Sequence, residues 1–237
     1  MPSVPASNAM QRLPPQVDPR TAPLAGVDRH LPRVPLAQQT EQALRQRFAT
    51  PPHWQPELRS EPPDAERPPT QAAVLIPLVL RDNVTVMLTQ RTAQLSTHSG
   101  QVAFPGGKRD PEDADLRATA LREAQEEVGL ASTYVQVLGE LPEYATGSGF
   151  QVTPVVALVD PQAPLQPNPY EVAQVFEVPL SFLLDPANHE RRYYEANGLR
   201  REWFAMPYQD GAHVRHIWGA TAGILRNFYR FMQAPMR

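Results

Sequence analysis

The chain has 237 residues, enough for one domain with a substantial core and additional extensions. A net charge of −3 and a pI near 6.1 give no electrostatic argument for nucleic-acid or membrane partners. There is no cysteine, so disulfides and thiolate metal ligands are excluded, and a cytoplasmic location is the expectation. No apolar run of about 18 residues offers a membrane span, and the N-terminus lacks the apolar core of a signal peptide.

Proline marks the first part of the chain: 15 of its 28 prolines fall within residues 1–70. That density removes backbone donors and blocks regular helix and sheet. Residues 1–70 are therefore expected to form a Pro-rich N-terminal extension, with 1–35 extended or disordered and dispensable for activity. Leu36 to Phe48 is proline-free and carries a sparse apolar stripe of Leu36, Ala43, Leu44 and Phe48, which predicts a short helix at 36–48. The main domain is expected over 71–237.

Ala72 to Arg81 is an apolar run suited to a buried strand, and Asp82-Asn83 turns it into a second strand at Val84 to Arg91. Gln101 to Phe104 predicts a short strand leading to Pro105-Gly106-Gly107. Asp110, Pro111 and Asp113 together predict a helix start. Along this helix Ala114, Leu121, Ala124 and Val128 form the packing face, with Glu123 and Glu127 opposite. Gly129 supplies a left-handed stop. Glu123, Glu126 and Glu127 fall at i, i+3 and i+4 and share a face. Three like charges in one place are costly without a cation, and such an oxygen-rich cluster suits Mg²⁺ or Mn²⁺.

Val135 to Leu141 and Val152 to Val159 predict further strands, joined by the small, polar stretch from Glu143 to Phe150 as a cleft lining. A proline-rich loop over Asp160 to Tyr170 precedes a strand at Val172 to Leu180. Asn197-Gly198, between Arg192–Ala196 and Leu199–Phe204, is a hairpin signal. His216 to Met232 carries Ile217, Ala220, Ile224, Phe228 and Phe231 near helical spacing and predicts a closing amphipathic helix. Strands flanked by helices indicate an α/β/α sandwich with a mixed sheet.

The segment from Gly106 to Leu130 resembles the Nudix box, G-x5-E-x7-R-E-U-x-E-E-x-G-U with U aliphatic. Arg122, Glu123, Glu126, Glu127, Gly129 and Leu130 match it, and Ala124 stands where a larger aliphatic residue is usual. In the first half the loop is one residue longer, with Gly107 and Asp113 each lying one position early. Upstream, Leu88, Thr89, Arg91, Gly100, Phe104, Pro105, Gly106 and Gly107 are similar to the extra signature of the coenzyme A pyrophosphatase branch; Met87, Thr92 and Ser96 depart from it. The resemblance runs from about Ala72 to Met232, and the stretch Ile217–Leu225 contributes to it.

This resemblance implies a Nudix fold and metal-dependent attack of water on a diphosphate, without a covalent enzyme intermediate. The substrate it implies is coenzyme A or a derivative, cleaved to 3′,5′-ADP and 4′-phosphopantetheine; ADP-ribose or a dinucleotide is the alternative, followed by a non-catalytic ligand sensor. Glu126 and Glu127 are the expected metal ligands, with Glu123 a ligand or the base and Arg122 orienting a carboxylate. A base or further ligand from a later loop is sought at Glu171, with Glu143 as the alternative. Arg91, Gln101, Lys108 and Arg109 suit phosphate oxygens, although Arg91 also suits an acid partner. Gly106 and Gly107 allow a tight backbone turn beside the helix. Phe150 and Trp218 either flank an adenine or fill the core, and His98 is either structural or a substrate contact. The partners expected are a small-molecule diphosphate and, in a self-associated form, a homodimer; neither nucleic acid nor membrane is expected.

Overall fold

The computed structural model describes residues 18–57, 68–93, 100–196 and 199–236. Its centre is the parallel pairing of β2 (Thr70–Val79) with β8 (Phe150–Val159), ten residues in unbroken register from Thr70 opposite Phe150 to Val79 opposite Val159. Both strands are apolar on both faces because both faces are covered, as parallel strands require. β3 (Thr85–Arg91) and β6 (Val135–Glu140) extend the sheet antiparallel on either side. The short strands β4 (Val102–Ala103), β5 (Gly106–Lys108) and β7 (Tyr144–Ala145) pair with β3, β2 and β8, and β9 (Val172–Pro179) pairs with β3.

On one face lies α2 (Leu116–Val128), whose Ala120, Ala124 and Val128 pack against Ala73, Leu75, Val155, Ala157 and Val159. The opposite face is closed by α1 (Glu41–Ala49), the four-residue α3 (Leu180–Leu183) and α4 (Gly219–Gln233). Helices on both faces of a mixed sheet make the expected α/β/α sandwich. Among the described residues a second, four-stranded antiparallel sheet is added to it, in the order β1 (Leu24–Val27), β10 (Glu190–Ala196), β11 (Leu199–Asp210) and β12 (His213–Trp218). Phe204, Met206 and Ile217 of that sheet join the same core as α4. No helix among the described residues is long and apolar enough to cross a membrane.

The N-terminal residues correct the sequence expectation. Leu24–Val27 pairs with β10, and Asp28 beyond it is buried in ion pairs with Arg226 (3.0 Å) and Arg191 (3.2 Å). Val34 is buried and the Pro32 carbonyl accepts the Tyr229 hydroxyl at 2.7 Å. The prolines at 23, 32 and 35 flank this strand without interrupting it, and its partners are too remote in sequence to leave a local period. The helix expected at 36–48 divides into a 3-10 turn at Leu36–Gln38 and α1, because the Thr40 hydroxyl caps the helix by accepting the Ala43 N–H at 3.3 Å. Leu44 enters the core and Arg47 donates to the carbonyls of Phe231, Met232 and Ala234 at the end of α4.

Two further boundaries move. Asp115, not Asp110, caps α2, its carboxylate accepting the Ala118 N–H at 2.8 Å. Ala120 then takes the core position expected for Ala114. The segment assigned to a closing helix from His216 begins instead as β12, and α4 starts only at Gly219, whose φ of 62° separates the two. Gly129 ends α2 in the left-handed conformation, φ 70°, as expected. The Asn197-Gly198 turn, Ser96 and His98 lie outside the described residues.

Candidate active site

α2 and β5 build the site together. β5 pairs with Ala72–Val74 of β2 and runs along the helix, so its glycines meet the acidic turn of α2. A β-carbon on Gly107 would stand 2.4 Å from the Glu123 carboxyl, and one on Gly106 would stand 2.4 Å from the Ala73 carbonyl oxygen. Backbone therefore requires glycine at 106, whereas at 107 a larger residue would displace the Glu123 carboxylate. The Gly106 N–H donates to Glu127 Oε2 at 3.2 Å. Glu127 is only 3% exposed, so it lies under β5 and not on the open face with Glu126; this corrects the expectation that the helix presents its carboxylates outward.

Arg122 gathers the remaining acids. Its Nε and Nη2 donate to the two Asp113 oxygens, each at 3.0 Å, while Nη1 reaches Glu123 at 3.1 Å and Glu126 at 2.9 Å. Nη2 also donates to the Lys108 carbonyl at 3.1 Å, which fastens the helix to β5. Asp113 additionally accepts the Thr119 hydroxyl and the Asp110 N–H, both at 2.9 Å. The Arg122 guanidinium and these bonds hold its carboxyl far below the usual carboxylate range. The early, shorter acid at 113 thus reaches Arg122 despite the longer loop.

Burial pushes Glu123 up from the ordinary range, and pushes Glu127 up to about 7 against the opposing pull of Gly106 and Arg91. Glu171 contributes in the same direction to both, which puts it within electrostatic reach of the pair. Arg91 Nη1 lies 3.4 Å from Glu127 Oε1, and its Nε is buried with no hydrogen-bond partner among the described residues. Glu143 instead accepts from Gln151 at the start of β8.

The other candidates are distributed more widely. Gln101 pairs through its carbonyl with the Arg91 N–H at 2.9 Å, beside the site, and Lys108 is exposed at the end of β5. Arg109 is engaged by the Gln71 side chain at 3.3 Å and the Asp113 carbonyl at 3.2 Å, a structural clasp. Phe150 packs against the main core at the head of β8, and Trp218 meets Trp203 edge-on at the end of β12, with ring centroids 6.4 Å apart.

Among the described residues no three acidic or imidazole groups already stand in a metal-holding arrangement. Arg122 spans Glu123 and Glu126 on the open side, while Glu127 turns inward. The donor chemistry nevertheless fits a hard divalent cation: the ligands are all oxygen, and burial with mutual repulsion raises Glu123 and Glu127, a penalty such a cation relieves. Sequence reasoning gave no site role to Asn168 and Thr92, which secure the Glu171 loop. Neither stands in a charged cluster, so their types carry no chemical signal by themselves.

The NUDIX domain model matches residues 69–197 of this chain. An uncharacterized Nudix hydrolase NudL from Pectobacterium atrosepticum is 46% identical over 155 residues, 65% of this chain and 79% of the relative. A protein of the same description from Photorhabdus laumondii is 43% identical over 162 residues, 68% of this chain and 84% of its own. Among solved structures, a MutT/nudix family protein from Enterococcus faecalis covers 72% of this chain and 64% of its own, at 18% identity and a TM-score of 0.44.

Proposed function

The chain belongs to the NUDIX domain family, and from that membership we propose a metal-dependent hydrolase that cleaves the diphosphate linkage of coenzyme A or one of its derivatives. The products are 3′,5′-ADP and 4′-phosphopantetheine or its acylated form. The observation that carries the reading is the row of carboxylates around Arg122, set against Gly106 and Gly107. Support for the coenzyme A class comes from the upstream signature, because its residues meet that row: Arg91 approaches Glu127, and the Gly106 N–H bonds to it.

Glu123, Glu126 and Glu127 are the residues that would hold Mg²⁺ or Mn²⁺, which when bound neutralises diphosphate charge and acidifies a water. Arg122 keeps the acidic row in place and limits its mutual repulsion. Arg91 donates its unsatisfied N–H to a phosphate oxygen. Glu171 accepts a proton from the attacking water as the new O–P bond forms. The bridging P–O bond breaks, and its electron pair leaves with the departing phosphate.

Incubation with a panel of coenzyme A, acyl-coenzyme A, ADP-ribose and dinucleotides, with Mg²⁺ and with Mn²⁺, tests the substrate class. Cleavage of coenzyme A compounds at the diphosphate with the highest kcat/KM is the expected result. Preference for ADP-ribose or a dinucleotide defeats the coenzyme A assignment. Turnover in ¹⁸O-water is expected to place one labelled oxygen in a phosphate product; unlabelled products defeat attack by water.

A further inference from the structure

Asn168 stands between the two elements that carry the candidate chemistry. Its backbone N–H donates to the Glu127 carbonyl at 2.9 Å, in the last turn of α2. Its own carbonyl accepts from Glu171 N at 3.1 Å and Val172 N at 2.8 Å. Its side-chain oxygen accepts the Tyr170 N–H at 3.1 Å, closing an Asx turn, and its amide donates to Glu171 Oε1 at 3.3 Å. Every hydrogen-bonding group of one residue is thus committed to the loop or to the helix. On the other side Thr92, next to Arg91, receives the same loop: its N–H donates to the Glu171 carbonyl at 3.0 Å and its hydroxyl to the Tyr170 carbonyl at 3.1 Å.

We infer that Asn168 is the positioning residue that holds the Glu171 carboxylate toward the glutamates of α2, through its backbone bond to Glu127 and its amide bond to Glu171. The inference rests on the hydrolase reading, in which Glu171 takes a proton. An amide suits this task because it orients a carboxylate without cancelling its charge, whereas an arginine would stabilise the ionised form and lower its basicity. The linkage also joins the loop that carries Glu171 to α2, next to the Gln166 N–H that donates to the Val128 carbonyl at 2.9 Å.

A double-mutant cycle tests it, with coenzyme A and the rest of the diphosphate panel as substrates. Asn168→Asp keeps the acceptor for the Tyr170 N–H, and so the turn, but replaces the donor to Glu171 by an anion. In Asn168→Asp and Asn168→Ala, kcat is expected to fall about tenfold or more while KM changes less than about threefold. In a Glu171→Gln background the same substitutions are expected to add nearly nothing, because the group they position is gone. If Asn168→Ala fails to fold, Asn168→Asp alone is decisive. Equal losses in both backgrounds, or no loss, overturn the positioning role while leaving the hydrolase reading intact. A wild-type chain that cleaves no member of the panel overturns both.

Discussion

Gly107 lies directly against the carboxyl group of Glu123, closer than any β-carbon on residue 107 would allow. The obstruction is the end of a flexible side chain, so Gly107→Ala is expected to move Glu123 and spare the fold. Activity should fall about 10²-fold or more, equivalent to roughly 3 kcal/mol of lost transition-state stabilisation, with little change in thermal midpoint. Gly106→Ala makes the opposite case. Its β-carbon would meet the Ala73 carbonyl and the Val74 Cα at a φ of 156°, so backbone must shift and stability should fall by about 1–3 kcal/mol. Measuring kcat/KM and unfolding midpoints of the two variants separates the effects; a folded, fully active Gly107→Ala refutes the contact.

Glu127 and Glu126 differ in setting although they are neighbours. Glu127 is buried under β5, while the Glu126 side chain is 56% exposed and shares Arg122 with Glu123. Both Glu→Gln variants are expected to lose most turnover, by roughly 2–4 kcal/mol in barrier, because each removes a charge from the row proposed to hold the metal. Their responses to metal should diverge. Added Mn²⁺ should restore part of the Glu126→Gln activity, since solvent can supply an oxygen at the open position, and very little of Glu127→Gln. Wild-type rates in both variants would remove these residues from the site.

The central sheet and the acidic helix were legible because their signals are local: two apolar runs, a glycine pair, and R-E-x-x-E-E within two turns of helix. β12 was not. Its buried positions are Arg215 and Ile217, and a buried arginine reads as polar, so the period-two pattern was hidden. Arg215 is tolerated there because Asp210 and the Gln90 side chain accept from it at 2.8 and 2.7 Å. Ile217, Ala220 and Ile224 happened to match helical spacing across the Gly219 break. Within the site, Arg122 and its glutamates could be read from spacing. Glu171 was named only through the family resemblance and its order in the chain, because its place depends on a loop fastened to α2 and to Thr92 by partners distant in sequence.

A chain beginning at Leu36 is expected to be markedly less stable than the full chain, contrary to the dispensability read from proline content. The deletion removes β1, the buried Val34, the Pro32 carbonyl that accepts from Tyr229, and Asp28, one of the two carboxylates paired with Arg226. Arg226 is 1% exposed and after the cut keeps Glu57 as its one carboxylate among those described, beside the neutral His189 ring. Asp28→Asn alone should cost about 2–4 kcal/mol, toward the lower part of the range for breaking a buried pair because Glu57 remains. Chemical denaturation of full-length, truncated and Asp28→Asn proteins measures this; an unchanged midpoint in the truncated chain would show that the arm contributes nothing to stability.

His189 makes the same junction sensitive to acid. The ring is fully buried, with Nε2 donating to the Leu183 carbonyl at 2.8 Å and Nδ1 accepting from Arg226 at 3.1 Å. Those partners specify the neutral tautomer, since a proton on Nδ1 would face a guanidinium. Burial, reinforced by Arg226, accordingly lowers its pKa to about 4 from 6.5. Between those values the unfolded chain binds the proton and the folded chain does not. Stability is therefore full above pH 6.5 and declines as pH falls toward 4, by roughly 3 kcal/mol at about 1.4 kcal/mol per unit. His189→Gln can keep a neutral side chain at all pH values, so its unfolding free energy should be lower at pH 7 yet flatter between pH 6.5 and 4. Parallel slopes for the two proteins over that interval would show that His189 does not carry the acid sensitivity.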